Sequence, residues 1–142
     1  MTQGSRSVVV VPCSGIGKSF GSVAREAAYV AVEDLRPGSA CVVALAKLVL
    51  GDAAARAAVA DHPTVTVDGC RLACAATMVR QSGGERVRAL SVLDAYRLHK
   101  ELKPEGIAEL NPAGLALARA LGEEIAAAVD AFAATGDEVG HG

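Results

Sequence analysis

The chain has 142 residues, 51% of them hydrophobic, and a formal charge of −2 at neutral pH. That length suits one domain over residues 1–135 with a short tail at 136–142, and the hydrophobic fraction excludes a largely disordered chain. Singly scattered basic residues and 3% aromatics exclude the charged stripe and stacking platform of a nucleic-acid binder, and the longest apolar run, CVVALAKLVL at 41–50, is too short for a bilayer and contains Lys47.

The opening MTQGSRS lacks the hydrophobic stretch of a secretory signal, so a cytoplasmic location is expected. Residues 7–11 then read as a fully buried parallel strand, a continuous valine run stopped by Pro12 and glycines. In 21–35 Val23, Ala27, Val30 and Ala31 share one helical face, and Pro37-Gly38 closes that helix. Residues 40–46, ACVVALA, form a second apolar strand. Gly51-Asp52 opens an alanine-rich helix that ends before Pro63. Val65–Val67 make a third strand, and the helix read over 70–82 is stopped by Gly83-Gly84. A fourth strand is expected over 86–93, while 94–109 carries no clear pattern. Asn111-Pro112 is a helix start with Asn as cap, followed by Leu117, Leu121, Ile125, Val129 and Phe132 on one face. The polar tail from Thr135, which includes His141, is expected to fray. Strands alternating with helices imply an α/β three-layer sandwich: a small Rossmann-like, mostly parallel sheet of about four strands with helices on both faces. Its apolar helical surface leaves room for a homodimer.

The first turn, PCSGIGKS at 12–19, resembles a phosphate loop, but Pro12 stands where that loop requires its first glycine. The dinucleotide fingerprint fails as well, because Gly15, Gly17 and Gly21 place the last glycine one position late. Nucleotide binding through the Gly15–Ser19 turn is therefore the weakest of three functional readings.

The cysteines are more regular. They follow C-x27-C-x28-C-x3-C, so Cys13, Cys41 and Cys70 recur once per strand–helix unit. In a reducing compartment, metal binding or thiol chemistry explains four cysteines better than two disulfides. Cys70 and Cys74, read as i and i+4 at a helix start, share one face, and a helix N-terminus favours the thiolate form. Four thiolates at strand ends suit tetrahedral zinc, with an iron–sulfur cluster as the alternative. Cysteine is also a small buried hydrophobe, a reading that competes most strongly at Cys41, inside a strand.

The combination of PCSGIG, a cysteine within ACVVALA and, above all, VDGCRLACA resembles the DGC-domain family, named for its Asp-Gly-Cys motif. The resemblance covers roughly residues 7–95. It implies that Cys13, Cys41, Cys70 and Cys74 are zinc ligands, and it implies no particular reaction. Lys18, in a loop where relatives resemble C-S-G-x-x-N, and DAYRLHKE after the fourth strand depart from the family's pattern.

Around such a centre, Asp68 could accept hydrogen bonds from backbone amides or a substrate, although Asp before Gly is commonly turn chemistry. Lys18 and Arg71 could offset a tetrathiolate's charge or simply be solvated. Ser14 and Ser19 read as caps or turn formers. His62 and His99 are substitute ligands should one cysteine point away. The expectation is thus a metal-binding protein acting in thiol, sulfur or metal handling. The alternative is a cysteine-based redox or sulfur-transfer enzyme, with Cys13 or Cys70 as nucleophile and Cys74 resolving it.

Overall fold

The computed structural model describes residues 8–13 and 18–139, with side chains through residue 134. Ser14, the Gly15–Gly17 part of the glycine turn and His141 lie outside the described residues.

The valine run at the start forms β1 (Val8–Pro12), whose four valines are at most 1% exposed. With no polar face to turn to water, such a strand is stable only in the middle of a sheet. It pairs in parallel with β2 (Ala40–Val42) on one side and β3 (Thr64–Asp68) on the other; β4 (Val87–Ser91) completes the order β2-β1-β3-β4. The expected α/β sandwich on a parallel sheet of four strands is the architecture found.

Alternation along β1 separates two cores. Val8 and Val10 pack toward α1 (Ser19–Tyr29), α5 (Val92–Leu98) and α6 (Pro112–Val139). Val9 and Val11 pack toward α2 (Leu45–Leu50), α3 (Ala53–Asp61) and α4 (Cys74–Gln81). Successive strand side chains point to opposite faces, so one strand anchors both layers.

Several boundaries follow their sequence signals. Asp52 caps α3 by accepting the Ala55 N–H at 2.9 Å. Asn111 caps α6, its Oδ1 accepting the Gly114 N–H at 2.8 Å. α4 stops at Gln81, before Gly83 at φ +98°. Other boundaries differ. The second apolar run is a strand of three residues followed by the short helix α2, which buries Leu45 and Leu48 and ends at Gly51 in the left-handed conformation. α1 continues through a π-helical turn, Val30–Leu35. The fourth strand stops at Ser91, and α5 starts at Val92 within its expected span and runs into the segment without a clear pattern, held to α1 by the Phe20 and Tyr96 rings 5.6 Å apart. α6 runs on to Val139, past the point where the polar tail was expected to begin.

Candidate thiol site at the carboxyl edge of the sheet

The chain leaves β1 through α1 on one face of the sheet and leaves β2 through α2 and α3 on the other. It leaves β3 through α4 on that second face as well, so β1 exits opposite to both of its neighbours, and the carboxyl ends beside it are where open α/β sheets assemble their ligand sites. Cys13 follows β1 directly. Its N–H donates to the Val67 carbonyl at 2.7 Å, which ties it to β3, and its residue surface is 8% exposed. Cys70 lies two residues beyond the end of β3 and is half-buried. Cys74 is the first residue of α4 and is exposed. All four cysteines are free thiols.

The Asp-Gly that precedes Cys70 has a structural role at each residue. Asp68, 4% exposed, accepts the Ala75 N–H at 2.8 Å on one carboxylate oxygen and the Ala76 N–H at 3.2 Å on the other. The first amides of a helix have no partner within it, and here a side chain seven and eight residues upstream satisfies two of them. The residue at the cap position, Ala73, has no side-chain acceptor and sits at φ +52°, the only non-glycine positive φ among the described residues. A left-handed alanine costs about 1–2 kcal/mol, so the Asp68 bonds stabilise a turn that its own residues disfavour.

Gly69 serves closeness rather than conformational freedom. A Cβ there would stand 3.1 Å from the Gly21 nitrogen and from the Phe20 carbonyl carbon and oxygen. The missing side chain therefore lets the turn before Cys70 rest on the backbone at the start of α1. The helix that follows the Cys13 loop and the turn that carries Cys70 are thereby held against each other.

This turn corrects the reading of Cys70 and Cys74 as one helical face. α4 begins at Cys74, and Cys70 stands in the turn ahead of it, its carbonyl accepting the Ala73 N–H at 3.3 Å. The left-handed Ala73 breaks the helical path between the two thiols. Cys41 is placed differently again. It is paired level with Val9, four residues before Cys13, which puts it about 13 Å back along the strand direction at ~3.3 Å per residue. It is exposed on the edge strand β2, although burial against its surroundings pushes its thiol pKa up.

Three thiols thus stand at the carboxyl edge and the fourth lies behind it. Among the described residues, no group of three or more His, Cys, Asp or Glu side chains is close enough together to hold a metal ion. The edge thiols suit a soft ion chemically, but they are not drawn to a common point. Of the substitute ligands, His62 precedes β3, at the opposite end of that strand from the thiols, and its Nδ1 is buried without a partner. His99 Nδ1 lies 3.9 Å from Glu101 Oε2. Lys18 and Arg71 are exposed.

The sequence reading missed the surroundings of Cys13. A cleft of about 430 Å³ opens beside it at the ends of β1 and β2, lined also by Arg25, Tyr29, Lys47 and Asp52. In the sequence alone, Lys47 is only a charge that interrupts an apolar run.

An α/β protein whose parallel sheet carries cysteines at its carboxyl edge, one of them in an Asp-Gly-Cys turn, is the class that fold and site define together. The chain belongs to the DGC domain family, whose sequence profile matches residues 9–113. No curated protein and no solved structure matches it. Among the described residues, no helix is long and apolar enough to cross a membrane.

Proposed function

We propose that this protein binds a thiophilic metal ion, zinc in the first instance, through Cys13, Cys70 and Cys74. The observation that supports this reading is the Asp68–Gly69 turn, which ties α4 to β3 and seats the Cys70 turn against α1, beside the strand end that carries Cys13. Closing the three thiols around one ion requires movement of the Cys70–Ala73 turn, which holds the only left-handed non-glycine residue among the described residues. Cys41 falls outside the proposed set, because its register keeps it four residues behind Cys13. Zinc bound by three thiolates retains a coordination position for a further ligand, which suits thiol, sulfur or metal handling. A reducing compartment such as the cytoplasm would keep these thiols available.

Cobalt titration of the reduced protein tests the proposal. Thiolate-to-cobalt charge-transfer absorption that saturates at one ion per chain, and that C70S or C74S removes, supports it. No such absorption would count against it.

A second reading has its own support. The absence of a gathered ligand group among the described residues, together with the cleft beside Cys13, favours metal-free thiol chemistry at that residue. It requires Cys13 to be alkylated readily in metal-depleted protein and to be unprotected by added zinc.

A further inference from the structure

The cleft beside Cys13 is built from the ends of β1 and β2, with α1 contributing Arg25 and Tyr29 and α3 contributing Ala55 and Ala58. We propose that it binds a small organic anion with an apolar body, the acid group on Lys47 and Arg25 and the body against Tyr29, Leu45 and Ala55.

Position, space and charge each support this assignment. The cleft lies outside the carboxyl ends of two parallel strands, where such sheets place their ligands. Its volume of about 430 Å³ falls within the range of small-molecule sites, and alanines on α2 and α3 leave that volume open. Among the described residues its charged lining consists of Arg25, Lys47 and Asp52. The Asp52 carboxylate is engaged in capping α3. Lys47 has no ion-pair partner among the described residues, and Arg25 also hydrogen-bonds Ser22 Oγ at 3.2 Å. Among the described residues the lining thus carries two basic groups and one acidic one, in a chain whose net charge is −2. A mostly apolar wall with a few charged groups orients a ligand that has one charged end. None of these residues except Cys13 belongs to the proposed metal set, so the cleft does not depend on that reading.

Titration of isotope-labelled protein with hexanoate, followed by NMR, tests the proposal, with hexanol as the uncharged match and hexylamine as the opposite charge. Hexanoate is expected to shift the amides of Tyr29 and residues 44–52 and to saturate, while hexanol and hexylamine bind about fivefold more weakly or not at all. K47A, at an exposed position, should weaken hexanoate about fivefold and leave hexanol unchanged. A54F, also exposed and lining the cleft, should remove the shifts by filling the space. Equal binding of hexanoate and hexanol, shifts confined to another surface, or an unaffected K47A would overturn it. In metal-free protein C13S should still bind hexanoate while losing the proposed zinc site, so the two proposals fail separately.

Discussion

Replacing Asp68 with alanine removes the acceptor of two buried amides at once. Ala75 and Ala76 are 0% and 3% exposed, so water cannot readily take over the bonds of 2.8 and 3.2 Å. A helix cap is worth about 0.5–2 kcal/mol and a hydrogen bond to a charged group about 1.5–3 kcal/mol. Desolvation of the carboxylate offsets part of this, so D68A is expected to lose about 2–3 kcal/mol. At roughly 2–4 °C per kcal/mol for a chain near this size, the melting temperature falls by about 5–10 °C. D68N keeps one acceptor oxygen and should lose about half as much. D94A removes an exposed carboxylate that pairs with Arg97 at 2.9 Å, and should cost under about 0.5 kcal/mol. Urea denaturation of the three variants, with hydrogen exchange at the Ala75 and Ala76 amides, gives the comparison. If D68A is no less stable than D94A, or those amides remain protected without the carboxylate, Asp68 is not the cap of α4.

Other perturbations probe separate parts of the molecule. G69A places a methyl 3.1 Å from backbone atoms at the start of α1 and is expected to destabilise by about 1–3 kcal/mol; a neutral G69A would show that the two segments are not pressed together. The Arg36 guanidinium hydrogen-bonds Asp130 at 2.8 and 2.7 Å and holds its carboxyl below the usual carboxylate range. A lowered carboxylate pKa stabilises the fold above the ordinary Asp value and loses that effect as pH falls through the depressed one. D130N should therefore melt slightly below the wild type at neutral pH, and the gap should close in strong acid and shrink in high salt; a gap that ignores both would contradict the pairing. Burial raises the Cys41 thiol, so at neutral pH iodoacetamide should modify it more slowly than in the urea-unfolded chain, with the difference narrowing in alkali. Equal rates at neutral pH, read by mass spectrometry, would refute that.

The legible parts of the fold are those in which a local pattern decides the outcome. Val8–Val11 and Val65–Val67 are runs of β-branched residues with Thr66 the one polar member, and Asn111-Pro112 and Asp52 carry their capping chemistry within three residues. Leu45–Leu50 was illegible as a helix because it continues the apolar run that begins at Ala40, and the left-handed Gly51 marks where it ends. Equal spacing of the cysteines suggested equivalent places, yet spacing counts residues rather than strand register. Cys13 follows its strand, whereas Cys41 is the second residue of its own. The break between Cys70 and Cys74 depends on the left-handed Ala73, which nothing local requires, and on Asp68 reaching seven and eight residues forward. Such a turn is defined by tertiary contact with α1, and a pattern of residue types does not encode that contact.

The most direct measurement is zinc stoichiometry of anaerobically purified protein alongside its four cysteine-to-serine variants. About one zinc per chain, lost in C13S, C70S and C74S and kept in C41S, is the result expected from three thiols at the sheet's carboxyl edge. Metal-free wild-type protein, or zinc that survives C13S and C70S but is lost with C41S, would contradict it.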